Sequence, residues 1–69
     1  MATELPDDPK EIFELIVKAD EKLKYATADR GDTRRRQASD LLTRARDAAA
    51  AIGNEPLVQQ AELRLADLG

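Results

Sequence analysis

The sequence predicts an all-α fold, an antiparallel three-helix bundle. Three segments carry apolar residues at steps of three and four, which is the spacing of one helix face. Residues that typically start and stop helices separate these segments, and no segment alternates as a strand does. A chain of 69 residues makes one domain at most and buries only about 60% of the surface that its unfolded form exposes. Its stability therefore depends on close helix packing or on a partner.

The first helix is predicted over about residues 9–28. The Asp8 carboxylate is suited to cap it, and Pro9 suits the first helical position, where no backbone N–H is needed. Residues 1–7 show no apolar period and predict a flexible N-terminal arm. Residues 8–69 then form the helical domain.

The apolar arc of helix 1 is unusually wide. Its main stripe is Ile12, Leu15, Ile16, Ala19, Leu23 and Ala26. Phe13 and Val17 widen the arc to roughly 200°, more than one neighbouring helix covers. Burial of Phe13 in the core is the favoured interpretation; the alternative is a seam in which Phe13 and Val17 meet a second copy or a target helix. Tyr25 points away from the stripe.

Helix 2 is predicted over about residues 33–52. Gly31 is expected to end helix 1 in a left-handed conformation, and Asp32 or Thr33 to cap helix 2. The apolar stripe of helix 2 is Ala38, Leu41, Leu42, Ala45, Ala49 and Ile52. Alternation of small and large side chains at this spacing favours close helix contact.

Helix 3 is predicted over about residues 55–68. Gly53 closes helix 2, Asn54 caps helix 3, and Pro56 lies in its first turn. The stripe of helix 3 is Leu57, Val58, Ala61, Leu65 and Leu68, and Leu63 faces away from it. Because both connections are short, consecutive helices are expected to be antiparallel neighbours.

Helix 2 resembles the second helix of a tetratricopeptide repeat. Ala38, Leu42 and Ala45 match the small–large–small positions of that family, and residues 46–68 resemble the passage between adjacent repeats. The resemblance covers about residues 19–69 and implies about one and a half repeats, a helical hairpin plus one helix. The family's proline near the end of the second helix is replaced here by an alanine run. Such repeats usually need about three units for stability, which implies self-association or a longer chain.

Charge is divided into zones along the chain. Residues 1–29 carry eight acids and four lysines, residues 30–46 six arginines and two aspartates, and residues 47–69 four acids and one arginine. The densest basic cluster is Arg30, Arg34, Arg35 and Arg36. The favoured interpretation is a solvated turn with ion pairs to Asp29, Asp32 and Asp40; the alternative is a site for an anion or an acidic partner.

The composition gives little support to catalysis. The chain has no histidine and no cysteine, so the commonest general base, the thiol nucleophile and the usual zinc ligands are missing. Its glycines form no phosphate-binding loop. No apolar run approaches the roughly 20 residues of a membrane-spanning helix, and the acidic N-terminus lacks the order of a signal peptide. We predict a non-enzymatic cytoplasmic protein with no cofactor, metal, membrane association or small-molecule substrate.

The predicted function is protein–protein interaction, as a small scaffold or adaptor that self-associates or docks on a larger partner. The candidate partner-binding residues are Phe13, Val17, Tyr25, Arg34, Arg35, Arg36 and Leu63. The alternative is a nucleic-acid-binding helical protein that uses the Arg30–Arg36 turn, which is disfavoured because helix 3 carries only one arginine against several acids. A purely structural linker or capping module is a third possibility.

Overall fold

The computed structural model describes residues 5–24 and 31–68, and this part of the chain folds into three helices without a strand. The helices are α1 (Pro9–Lys24), α2 (Gly31–Ala51) and α3 (Glu55–Leu68). The predicted all-α three-helix bundle is confirmed. None of these helices combines the length and the apolar character that crossing a bilayer requires.

The central helix of the bundle is α2. It packs extensively against both α1 and α3, whereas α1 and α3 contact each other only sparsely. Asp20, late in α1, pairs with Arg64, late in α3, so these two helices run in the same direction. The bundle is thus up-down-up, and the outer two helices leave a flank of α1 with little cover.

The core is built mainly from small side chains. Six of its nine buried residues are alanine, and the bulky ones are two isoleucines and one leucine. The nine are Ile12, Ile16, Ala19, Ala38, Leu42, Ala45, Ala48, Ala49 and Ala61. Larger residues surround this core in partly buried positions: Leu15, Leu23, Leu41, Leu57, Val58, Leu65 and Leu68. Alanine lets the helices approach closely but removes little apolar surface from water, so hydrophobic stabilisation is modest.

The start of α1 is the predicted one. The Lys10 N–H donates to Asp8 Oδ1 at 2.9 Å, and the Ile12 N–H donates to the Asp8 carbonyl oxygen at 3.0 Å. Pro9 is the first helical residue. Asp8 therefore supplies one acceptor from its side chain and one from its backbone, as an N-cap does.

The junction between α2 and α3 also confirms the prediction. Gly53 has a φ of 71°, its N–H donates to the Ala50 carbonyl at 3.1 Å, and the Asn54 N–H donates to the Ala49 carbonyl at 2.8 Å. This pair of bonds is the Schellman motif that ends a helix. The Asn54 side chain then accepts from the Leu57 N–H at 3.3 Å, so Asn54 completes the end of α2 and caps α3.

The start of α2 differs from the prediction. Gly31 is the first residue of α2 and is buried, so the prediction that it ends helix 1 is wrong. Asp32 and Thr33 accordingly lie in the first turn of α2 and not at its cap. An aspartate in the first turn of α2 suits the helix dipole. Ile52, predicted as the last core position of helix 2, lies beyond Ala51 and is exposed.

Candidate functional site

The most conspicuous exposed apolar residues in α1 are Phe13 and Val17, which we call the apolar flank. Phe13 is 50% exposed and Val17 is 39% exposed. The favoured interpretation, burial of Phe13 in the core, is therefore wrong. Ile12 and Ile16 belong to the core that the three helices share, and each flank residue follows one of them at a rotation of about 100° around the helix. The flank would need cover from α3, which contacts α1 only sparsely.

An ion pair shows which side of α1 the flank occupies. Asp20 follows Phe13 by seven residues, about two helical turns, so both lie on the same face of α1. Asp20 accepts hydrogen bonds from Arg64 Nε at 3.0 Å through Oδ1 and at 3.1 Å through Oδ2. Since Arg64 belongs to α3, the apolar flank borders the line where α1 and α3 come together.

Arg64 is held from two directions. Besides its contact with Asp20, its Nη1 donates to Gln60 Oε1 at 2.7 Å and to the Gln60 carbonyl oxygen at 3.2 Å. In the sequence, Arg64 is recognisable only as the single basic residue of helix 3, and nothing there indicates this pair. The two partners are 44 residues apart, so no local spacing signals their contact.

Leu63 forms a separate apolar patch on α3. It is 62% exposed and is rotated by about 200° from the buried Ala61, so it faces away from the core as predicted. A shallow depression at this position is lined by Gln59, Glu62, Leu63 and Ala66, all of them residues of α3.

The structure does not keep the arginines of α2 together. Arg35 Nη1 pairs with Asp32 Oδ1 at 3.3 Å, and both side chains are well exposed, as in the interpretation of a solvated turn. Arg34 is half-buried, whereas Arg36, about 200° further round the helix, is exposed. Two other candidates, Tyr25 and Arg30, lie outside the described residues.

Arg34 instead joins two lysines of α1. We call this the basic groove: an open depression of about 500 Å³ between α1 and α2, lined by Lys18, Glu21, Lys22, Arg34 and Leu41. Lys22 and Arg34 are half-buried, and Leu41 contributes apolar surface. None of the three cations forms an ion pair or a side-chain hydrogen bond with the described part of the chain. Arg34 was a predicted site residue but the lysines were not, because nothing in the sequence shows which face of α1 meets the first turns of α2.

Within residues 5–24 and 31–68, no group of acidic side chains is arranged to hold a metal ion, and no buried side-chain polar atom lacks a hydrogen-bond partner. The chain matches no protein-family model, and no curated protein or solved structure matches it.

Proposed function

We propose that the protein is a small non-enzymatic protein–protein interaction module that self-associates through the apolar flank of α1. The observation that carries this proposal is the exposure of Phe13, the only phenylalanine in the chain, beside Val17. The core consists largely of alanine, yet two bulky apolar side chains lie close together on the exposed surface of α1. A second copy would cover them at no cost to the core.

The magnitude of the apolar contribution predicts weak association. Fully burying a side chain of this size contributes roughly 1.5–3 kcal/mol, so covering the exposed parts of Phe13 and Val17 adds about 1 kcal/mol each. Two copies of the flank together approach the low end of the cost of association, about 4 kcal/mol. A dissociation constant of about 1 mM needs a net gain of about 4 kcal/mol, so the charged contacts around the flank must contribute as well. We therefore expect a dimer no tighter than about millimolar that depends on every flank residue.

The surrounding charges suit a two-fold arrangement. If two copies of α1 cross in antiparallel directions at the flank, Phe13 of one protomer meets Val17 of the other. The same arrangement sets Lys10 of one protomer near Glu21 of the other, and both side chains are exposed. Because a two-fold contact uses the same patch on both copies, each attraction occurs twice.

Sedimentation equilibrium over a range of concentrations tests the proposal. We expect the wild-type protein to self-associate and the double variant Phe13→Ser, Val17→Ser to remain monomeric with unchanged helicity. Leu63→Ser is the matched control, because it removes a more exposed apolar side chain from outside the flank and is expected to leave association unchanged. A wild-type protein that stays monomeric at millimolar concentration contradicts self-association, and the flank is then left for a larger partner.

Among the described residues, Arg34, Arg35 and Arg36 do not support the nucleic-acid alternative. Arg35 is paired with Asp32, and Arg34 and Arg36 lie on different sides of α2, so they present no continuous basic surface. The resemblance to tetratricopeptide repeats and the cytoplasmic location stay predictions that the fold does not test.

A further inference from the structure

The basic groove concentrates positive charge that the described part of the protein leaves uncompensated. Lys18, Lys22 and Arg34 face one carboxylate, that of Glu21, and none of the three cations is paired with it or with another described group. Lys18 and Lys22 are four residues apart on α1, where like charges repel each other. The groove therefore carries a net positive charge, with three cations and one carboxylate in its lining.

The helix dipole adds to this imbalance. Arg34 lies in the first turns of α2, where the dipole and the backbone N–H groups contribute further positive potential. Lys22 and Arg34 are half-buried, so water and salt screen their charges less than they screen fully exposed ones. An anionic group in the groove would relieve both the repulsion and the unfavourable dipole interaction.

We propose that the basic groove binds an acidic polypeptide segment whose carboxylates pair with Arg34, Lys18 and Lys22 while an apolar side chain packs on Leu41. A guanidinium group binds a carboxylate through two parallel hydrogen bonds, and the lysines bind further carboxylates as point charges. The open shape of the groove, between two helices, accommodates an extended segment. The proposal rests on the interaction role proposed above but, apart from Glu21, which borders both, uses a different surface of α1 from the apolar flank.

The charge of the whole protein favours a short acidic segment over a long polyanion. The net charge is −3, and the acidic residues lie mainly in the two regions that flank the arginine-rich middle of the sequence. A nucleic-acid duplex extends well beyond the groove and meets this negative charge, whereas a segment of a few residues does not. Leu41 gives a peptide with an apolar residue an additional contact that inorganic phosphate cannot make.

Fluorescence anisotropy with a labelled peptide of alternating glutamate and leucine tests the proposal on the full chain. We expect binding that weakens as salt is added, and a loss of affinity of about tenfold or more in the Lys22→Gln, Arg34→Gln double variant. A matched control is Arg44→Gln, Arg46→Gln, which removes the same number of positive charges from α2 outside both the groove and the apolar flank. The control is expected to bind within about twofold of the wild-type protein. Circular dichroism verifies that both variants keep their helicity.

Several results would overturn the groove assignment. Equal loss of affinity in the control variant would show a response to net charge alone, and equal binding of a glutamine–leucine peptide would show that carboxylates are not recognised. Tighter binding of a short DNA duplex, or displacement of the peptide by equimolar inorganic phosphate, would replace the peptide with another anion. If the peptide fails to bind while the flank variants still abolish self-association, the groove assignment alone is lost.

Discussion

The two sides of α1 carry similar side chains with opposite environments. Ile12 and Ile16 are completely buried, whereas Phe13 and Val17, each one residue further along, remain substantially exposed. All four are large and apolar, so residue type does not explain the difference. The explanation is that the first pair points into the core shared by the three helices, while α3, which contacts α1 sparsely, leaves the second pair open. The width of an apolar arc thus indicates how much cover a helix needs, and the arrangement of its neighbours determines how much it receives.

Replacing a residue on the buried side should have the largest effect. Ile16→Ala removes three carbons from a completely buried position, and such changes cost about 2–5 kcal/mol of unfolding free energy. For a small domain this is a large share of the total stability, so we expect a substantially unfolded protein at room temperature. Urea denaturation followed by far-ultraviolet circular dichroism measures the loss. A loss below about 1 kcal/mol would mean that α1 is less tightly packed on α2 than the burial implies.

The contrast within α1 also shows what the sequence could predict. The helical period fixed the buried positions correctly because Ile12, Ile16 and Ala19 all point to one side of an ideal helix. Phe13 lies at the edge of the same arc, where burial depends on whether a third helix leans toward α1 or away from it. That angle arises from packing between α2 and α3, which no local pattern in α1 records.

A destabilising change remote from α1 would separate the effect of lower stability on self-association from the effect of removing the flank side chains. Gly53→Ala places a side chain at a φ of 71°, which costs about 1–2 kcal/mol, and no atom lies near enough to the added methyl group to clash with it. We expect a lower urea midpoint with self-association retained wherever the protein is folded. The check is sedimentation equilibrium at low temperature together with urea denaturation. Loss of association in the folded variant would show that the flank depends on overall rigidity.

The glycines at the two helix junctions illustrate a second limit of prediction. Gly53 and Asn54 were predicted correctly because their roles are local: a left-handed glycine and a capping amide satisfy backbone groups within a few residues. Gly31 was given the same role on the same grounds, yet it begins α2. Glycine permits a helix stop without enforcing one. The Asp20–Arg64 pair and the basic groove could not be predicted because each joins residues that are distant in the sequence.

A smaller effect is expected at the ion pair beside the flank. Asp20→Asn keeps the side-chain shape but removes the charge that Arg64 contacts, and a partly exposed pair of this kind contributes about 0.2–1 kcal/mol. We expect the unfolding free energies of the wild-type protein and the variant to differ slightly in low salt. They should become equal in about 1 M salt, where charges are screened within about 3 Å. Urea denaturation at both salt concentrations provides the measurement. A difference that persists in high salt would indicate that hydrogen-bond geometry matters more than charge.

The smallest effect on stability is expected at the exposed side of α1. Val17→Ala removes two carbons that are already partly in water and exchanges a β-branched residue for the best helix former, so the two contributions oppose each other. We expect the unfolding free energy of the monomer to stay within about 0.5 kcal/mol of the wild-type value. Both this variant and Ile16→Ala are measured at a concentration that keeps the protein monomeric. The difference between them shows how much burial by the neighbouring helices contributes at adjacent positions of one helix. If Val17→Ala destabilises the monomer by about 2 kcal/mol, α3 covers the flank in solution and the motive for self-association disappears. If stability is retained and association weakens, the side chain contributes to the contact between molecules and not to the fold.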